Sequence, residues 1–143
     1  MPSWQPGWGR FPDALAAFWS ERHLCTLASV RADGRPHLVP VGVALDHEQE
    51  CAWAITFQGS RKVSVIEQAA TASGTGAPVA ASAVDRARWS TLEGRAEVLR
   101  DAASIERACE RYASRYRVPK QNPNRVAIRI SVDRFLAAAS LLE

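Results

Sequence analysis

The chain has 143 residues, of which 47% are hydrophobic and 23% charged, and this composition is typical of one ordered globular domain rather than of a disordered chain. A net charge of only +3 does not predict a nucleic-acid-binding protein, because no patterned basic face accompanies it. No apolar run approaches the roughly 20 residues that cross a membrane, the N-terminus lacks the pattern of an export signal, and three widely spaced cysteines favour reduced thiols in the cytoplasm.

The chain is expected to divide into an arm and one domain. Residues 1–12 are rich in proline and glycine and are interpreted as an N-terminal arm. The small-residue stretch 72–77 is interpreted as a loop within the domain, not as a linker. Residues 13–143 are therefore predicted to form a single domain.

Short apolar runs separated by turn residues predict about six strands, and Asp-Gly in the turn 32–35 is a strong hairpin signal. The predicted strands cover residues 24–30, 36–45, 51–57, 78–84, 89–99 and 126–132, and residues 135–142 continue as a strand or short helix. Helices are predicted over residues 13–23, 61–70 and 101–115. The strands follow one another too closely for crossover helices. We therefore expect a mainly β fold with flanking helices, arranged as a small antiparallel barrel.

The stretch 55–63, I-T-F-Q-G-S-R-K-V, carries the strongest functional pattern in the residues themselves. A strand ends and a helix begins there, so Ser60, Arg61, Lys62 and the free N–H groups of a helix start converge on one point. Helix N-termini and cationic side chains both favour phosphate. The stretch therefore predicts a phosphate-binding turn, and a solvated turn capped by Ser60 is the alternative.

Other chemistries find no support in the pattern. There is no G-x-G-x-x-G and no P-loop, and the three histidines lack metal-ligand spacing. No nucleophilic triad or carboxylate pair can be assembled from the sequence, so no catalytic residue and no metal are assigned. Any catalytic power is expected to come from a bound cofactor.

Four segments of the chain carry a resemblance to a known family. After a helix, L-x-T-L-x-x-V-R-x-D-G-R-P-H-x-V-P-V, I-T-F-Q-G-S-R-K-V and R-W-S-T-L-E-G-R-A-E-V resemble the pyridoxamine 5′-phosphate oxidase-like split-barrel superfamily. The later segment R-Y-x-x-R-Y-R-V-P-K-x-N-P-x-R-V-x-I resembles the branch that uses the deazaflavin coenzyme F-420, which includes mycobacterial biliverdin reductases. The resemblance covers residues 13–142 and implies a six-stranded antiparallel split β-barrel of the FMN-binding type.

The resemblance also implies cofactor-binding roles for single residues. The phosphate-binding turn matches the cofactor-phosphate turn of the family, and Thr56 matches a strand-end position that faces the same phosphate. The strand beside the isoalloxazine-like ring is matched by Val39, Pro40 and Val41. Trp89 lies where the next long strand of the family closes over the cofactor, across a dimer.

The basic stretch before the last strand is a further candidate for cofactor binding. Arg117, Lys120 and Arg125 are expected to meet the anionic oligoglutamate tail that distinguishes the deazaflavin from FMN. A solvated turn is the alternative at these positions. Four cations and no acid lie between Arg115 and Arg125.

By resemblance, the protein is expected to be an oxidoreductase that transfers a hydride from reduced coenzyme F-420 to a conjugated organic acceptor, with biliverdin or a related tetrapyrrole as the candidate. An FMN-binding oxidoreductase of the same fold and a non-catalytic cofactor- or haem-binding protein are the alternatives. The C-terminal substrate-phosphate motif of pyridoxamine phosphate oxidases proper is not found, so vitamin oxidation is not expected. The protein is expected to be a cytoplasmic homodimer that binds neither nucleic acid nor membrane.

Overall fold

The computed structural model of the protein describes residues 2–143. Three helices flank the sheet: α1 Asp13–Ser20, α2 Arg61–Ser73 and α3 Ala102–Arg115. The start of α3 is as predicted, because the Asp101 side chain accepts a hydrogen bond from the Ser104 N–H. The helix α2 ends at Ser73, three residues beyond the predicted end, and Gly74 follows it with a φ of 75°. Within the described residues, no helix has both the length and the apolar character needed to cross a membrane.

Within residues 2–143, eight strands form one sheet, and every pairing in it is antiparallel. They are β1 Ser3–Trp4, β2 Cys25–Val30, β3 Pro36–Val41, β4 Val43–Asp46, β5 Cys51–Phe57, β6 Ala77–Asp85, β7 Arg88–Leu99 and β8 Arg125–Ala137. The order is β3-β2-β6-β7-β8-β5-β4, and β1 pairs with β8. The prediction of a mainly β antiparallel fold with flanking helices is confirmed.

The prediction of one strand over residues 36–45 is wrong. The chain changes partners at Gly42, since β3 pairs with β2 whereas β4 pairs with β5. A Cβ atom at Gly42 would lie 2.7 Å from Tyr112 Cε2 and 3.0 Å from Tyr116 Cε2. Glycine is therefore what allows two aromatic rings of α3 to approach the backbone between the strands.

The predicted break between the last two strands is also wrong, because β8 is continuous over 13 residues. The irregularity lies instead in its pairing with β7, where the register shifts between Glu93 and Gly94. A Cβ atom at Gly94 would lie 2.0 Å from the Ser131 carbonyl oxygen, so only glycine fits this bulge. The chain then leaves the sheet and forms a short 3-10 helix, Ala139–Leu141.

The strand count differs from the predicted six-stranded barrel. The sheet has eight strands, and β3 and β4, at the two ends of its order, are not hydrogen-bonded to each other. They are nevertheless separated along the chain by Gly42 alone, so the sheet must curl until its edges meet. The result is a strongly curled sheet that hydrogen bonds do not close.

The core lies between the curled sheet, α1 and α2. It contains fully buried aromatic and aliphatic side chains, among them Leu15, Phe18, Leu27, Ile66, Leu92, Ile128, Ile130 and Phe135. The arm packs on its own chain, since the rings of Trp4 and Trp8 lie 5.8 and 6.4 Å from that of Phe135. The division between an arm of residues 1–12 and a domain of residues 13–143 stays a prediction.

A buried ion pair fastens α3 to the β4–β5 hairpin. The Asp46 side chain is fully buried and accepts hydrogen bonds from Arg107 at 2.7 and 2.8 Å, from Trp53 Nε1 at 2.9 Å and from the Gln49 N–H at 2.9 Å. Burial alone would raise the pKa of Asp46, but these hydrogen bonds outweigh it and hold the pKa well below the ordinary value.

Candidate functional site

A cavity of about 530 Å³ opens where β3 and β5 end and α2 begins. Its remaining wall comes from α3 and from the loop of residues 116–124 that joins α3 to β8. We call this space the basic cavity. It is lined by Pro40, Val41, Gly42, Ile55, Thr56, Phe57, Lys62, Tyr112, Arg117, Pro119, Lys120, Asn122 and Arg125.

The pairing of β5 with β8 brings two predicted regions together. Thr56 is opposite Val126 and Phe57 is opposite Arg125 in the register of these strands. One residue further on, the Gln58 N–H donates to the Asn124 carbonyl oxygen at 2.8 Å. The phosphate-binding turn and the basic stretch, separated by more than 50 residues in the sequence, therefore lie on one side of the sheet.

The Ser60 side chain does not cap α2. Its N-cap position has extended backbone geometry but makes no side-chain cap hydrogen bond, and its Oγ accepts a hydrogen bond from Thr56 Oγ1 at 3.0 Å. Ser60 thus lacks the contact that the capped-turn alternative requires. The first turn of α2 keeps N–H groups without intrahelical partners, which is the usual basis of anion binding at a helix start.

The two cations of the turn lie in different places. Lys62 is half-buried and lines the basic cavity, and this burial lowers its pKa from the ordinary value. Arg61 is exposed and instead lines a cleft of about 290 Å³ together with Arg31 and Arg35. At the start of α2, Lys62 therefore faces the basic cavity and Arg61 faces this cleft.

The charge of the basic cavity is not balanced. Four cationic side chains line it, and no carboxylate does; the four are Lys62, Arg117, Lys120 and Arg125. Within residues 2–143, none of the four takes part in an ion pair. An anion entering the cavity would therefore meet unpaired positive charge at both ends, which suits a ligand with several negative groups.

An aromatic wall of the cavity was not predicted from the sequence. Tyr112 lines it from α3, and its ring centroid lies 5.0 Å from that of Tyr116. The Tyr116 hydroxyl donates to the His23 carbonyl oxygen at 2.7 Å, which holds this pair of rings against Gly42. The available signal was the isolated glycine in a strand pattern, since such a glycine often marks a close backbone approach.

A buried histidine next to the phosphate-binding turn has an unsatisfied nitrogen. His37 is 6% exposed, and within the described chain its Nδ1 has no hydrogen-bond partner; nor does the Oγ of Ser29, which is opposite it in the β2–β3 register. Burial, together with the positive charges of Arg31, Arg61 and Lys62, lowers the pKa of His37. The ring is therefore neutral near pH 7 and sits beside cations that lack an anion.

Four predicted site residues do not line the basic cavity. Ser60 and Arg61 lie next to it in the turn. Val39 is half-buried opposite Leu27. Trp89 is the second residue of β7, opposite Val84. It is next to Ser90, which pairs with Ala137, so it lies at the opposite end of the β7–β8 pair from Arg125 and is remote from the cavity within one chain.

Among residues 2–143, one cluster has ligand atoms close enough for a metal ion, namely Glu21, His23 and Asp85. The Arg88 guanidinium already occupies its centre, because it is bonded to the carboxylates of both Glu21 and Asp85. These carboxylates therefore share one guanidinium as their partner. The cluster is interpreted as an ion-pair network rather than as a metal centre.

Comparisons with known proteins agree with the resemblance found in the sequence. A model of the family described as pyridoxamine 5′-phosphate oxidase matches residues 11–138. An F420H(2)-dependent biliverdin reductase from Mycobacterium tuberculosis (strain CDC 1551 / Oshkosh) is 45% identical over 134 residues, which are 94% of this chain and 93% of that protein.

Two solved structures share the fold. A conserved hypothetical protein from Mycobacterium tuberculosis superimposes with a TM-score of 0.69 at 23% identity, over 87% of this chain and 81% of that one. A protein named F420 Reductase superimposes with a TM-score of 0.63 at 22% identity, over 84% of this chain and 94% of that one. At these identities the structural likeness shows the fold alone.

Proposed function

The chain belongs to the pyridoxamine 5′-phosphate oxidase family, and from that premise we propose that it is a coenzyme F-420-dependent reductase whose acceptor is a conjugated tetrapyrrole such as biliverdin. The relative that is 45% identical along nearly its whole length has this activity by name. The observation in the chain that carries the proposal is the basic cavity, in which four cations are unopposed by any lining carboxylate.

The lining residues suit the parts of a deazaflavin. Lys62 and the start of α2 would hold the phosphate, because a helix N-terminus and a half-buried ammonium both favour it. Pro40, Val41 and Tyr112 offer apolar and aromatic surface for the ring system. At the other end, the cations of the 116–124 loop and the start of β8 would meet the carboxylates of the oligoglutamate tail.

The reduced deazaflavin, when bound, supplies a hydride to an electron-poor carbon of the acceptor. The protein would contribute position and charge: the cavity would hold the deazaflavin and bring the acceptor beside it, and its cations would stabilise negative charge that develops on the acceptor. Neither a carboxylate nor a histidine lines the cavity, so this wall supplies no carboxylate or imidazole as a proton donor.

FMN is the alternative cofactor, because it shares a ring system and a ribityl phosphate with the deazaflavin. It lacks the oligoglutamate tail, and so it would leave the cations of the 116–124 loop and β8 without partners. Those cations favour the deazaflavin.

Two measurements test the proposal. Fluorescence titration with coenzyme F-420 and with FMN should give the tighter dissociation constant for F-420, and reduced F-420 with biliverdin should regain the absorbance of the oxidised coenzyme only when protein is present. Tight F-420 binding without turnover of any tetrapyrrole would mean that the protein binds the coenzyme but is not a tetrapyrrole reductase. Tighter binding of FMN than of F-420 would identify FMN as the cofactor instead.

We further propose that the fold is a six-stranded split barrel. Counting β3 and β4 as one strand interrupted at Gly42, and leaving aside the two-residue β1, gives six strands around the curl. Solution of the structure with cofactor bound would test whether the β3 and β4 edges stay unpaired.

We also propose a homodimer formed through the outward face of β2, β3 and β6. Leu38 and Val84, on this face, are 64% and 70% exposed. Through the strand registers, Trp89 lies on the same face beside Val84. A second copy seated there would cover this apolar surface and bring Trp89 of one protomer towards its partner.

Light scattering of Leu38→Glu and Val84→Glu tests the interface. Both variants should become monomeric, while Val118→Glu, at an 82% exposed apolar position in the 116–124 loop, should stay dimeric. A wild-type protein that is monomeric with full cofactor affinity would contradict the dimer.

Cytoplasmic localisation is proposed on the basis of the thiols. Cys25, Cys51 and Cys109 are all free, and the first two are buried. Free thiols persist most readily in a reducing compartment. Fractionation of producing cells, followed by immunodetection, would test this placement.

A further inference from the structure

A second group of unpaired cations lies on the other side of α3. Arg107, Arg111 and Arg115 are spaced by four residues and so share one face of the helix. Arg107 is neutralised by Asp46. Within residues 2–143, neither Arg111 nor Arg115 takes part in any ion pair.

These two arginines line a pocket of about 170 Å³ between α1, α3 and β4. We call it the α1–α3 pocket. Since a single water needs about 10–15 Å³ of such space, it has room for a small polyatomic ion with a few waters. It is lined by Ala16, Trp19, Ser20, Ala44, Leu45, His47, Arg111, Ser114 and Arg115.

Arg115 is the innermost cation of the pocket, with 5% exposure. Its Nε donates to the Glu21 carbonyl oxygen at 2.8 Å, and its Nη1 donates to the Val43 carbonyl oxygen at 2.6 Å and to Cys25 Sγ at 3.6 Å. Its Nη2 reaches only the Phe18 carbonyl oxygen at 3.4 Å. The guanidinium also lies over the Trp19 ring, 4.9 Å from the centroid. A buried guanidinium without a carboxylate is unusual, because burying an unpaired charge is costly.

Arg111 closes the pocket from the side of β4. Its Nε donates to the Leu45 carbonyl oxygen at 3.0 Å, and among the described residues its two Nη atoms have no partner. Arg111 also lowers the pKa of His47, after burial as the larger cause. The nearby Asp46 carboxylate is bonded to Arg107 and does not line the pocket.

We propose that the α1–α3 pocket binds a small oxyanion of the size and charge of inorganic phosphate. Two guanidinium groups, one of them buried, would donate charge-assisted hydrogen bonds to it. The His47 ring and the hydroxyl groups of Ser20 and Ser114 complete a polar lining that contains no acid. This site is separate from the basic cavity, since the two spaces share no lining residue.

The test uses thermal unfolding of the Lys62→Ala protein, in which the competing phosphate site of the basic cavity is weakened. Phosphate should raise the melting temperature more than sodium chloride of equal ionic strength does, by about 4 °C at a tenfold excess over its dissociation constant. Line broadening of the phosphorus NMR signal of phosphate should give the same dissociation constant.

Adding Arg111→Gln should remove most of both effects, while glutamine can still donate to the Leu45 carbonyl oxygen. The matched control is Arg22→Gln, at an exposed position outside the pocket, which should change neither readout. The proposal is overturned if phosphate acts no differently from chloride, or if the Arg111→Gln protein responds to phosphate as fully as its parent does.

Discussion

The Asp46 site and the basic cavity show two uses of cationic side chains in the same part of the fold. At Asp46, Arg107 meets a fully buried carboxylate in a two-pronged ion pair, and the contact holds α3 to the β4–β5 hairpin. In the basic cavity, four cations face solvent-accessible space without an acid. A cation that already has its carboxylate serves stability, and one without it remains free for a ligand.

The largest effect on stability is expected from removing Arg107, the cation that is paired with Asp46. Arg107→Ala should lower the free energy of unfolding by about 3 kcal/mol, because it leaves a buried carboxylate without its charge partner. This value is the lower end of the usual range, since Arg107 is 23% exposed. Urea denaturation measures it, with the exposed Arg22→Ala as control. Equal stability of the two variants would contradict the assigned role.

The same pair should respond to pH. The pKa of Asp46 is depressed in the folded state, so its contribution to stability is complete above the unfolded value of about 4 and is lost as the pH falls below it. Asp46→Asn should flatten this part of the stability profile. Urea midpoints measured between pH 3 and pH 7 would check this, and parallel profiles for both proteins would contradict it.

On the binding side, Lys62→Ala should weaken cofactor affinity about 10- to 100-fold, since a charge-assisted hydrogen bond contributes roughly 1.5–3 kcal/mol. Stability should be almost unchanged, because the ammonium has no carboxylate to leave behind. Fluorescence titration measures the affinity and urea denaturation the stability. Unchanged affinity would mean that Lys62 does not bind the cofactor.

A change in the cavity wall should affect both stability and cofactor binding. Gly42→Ala places a Cβ atom within 3.0 Å of two tyrosine rings, so we expect a loss of about 1–2 kcal/mol in stability and weaker cofactor binding as Tyr112 moves. Gly9→Ala is the control, because nothing lies within 4 Å of its Cβ position. If Gly42→Ala behaves like this control, the close packing of α3 on the link between β3 and β4 is not required.

The smallest effect should separate the two cofactors. Lys120→Glu should weaken deazaflavin binding about tenfold and leave FMN binding unchanged, as expected for an exposed ionic contact with the oligoglutamate tail. The loss should shrink at high salt and with shorter glutamate chains. Equal losses for both cofactors would mean that the basic stretch is structural. If neither cofactor loses affinity, the basic stretch is a solvated turn that does not contact the cofactor.

Much of the fold was predictable from local patterns. The bounds of β5 agree with the predicted strand, and the Asp-Gly hairpin and the Asp101 cap form as expected. The errors arose at Gly42 and at the long β8, where neighbours distant in the sequence decide the outcome. At Gly42 the rings of Tyr112 and Tyr116 pack against the backbone, and in β8 the extra residue Asp133 is taken up as a bulge opposite Gly94, so the strand continues without a turn.

The candidate site was predictable where a motif carries it. Pro40, Val41, Thr56 and Lys62 line one cavity with the three cations of the basic stretch, although nothing in their spacing shows that these segments meet. Tyr112 was missed because its helical spacing fits a packed face equally well.

The position of β8 has a consequence for the biogenesis of the protein. β8 pairs with β1, β5 and β7, yet it is synthesised after all seven other strands of the sheet. Until it emerges, β5 can pair only with β4, and the edge of β7 stays open. The nascent chain thus carries an exposed edge on β5, and later a second one on β7, until residues 125–137 have been made. A chain that stops before residue 125 would lack the strand that joins the two halves of the sheet.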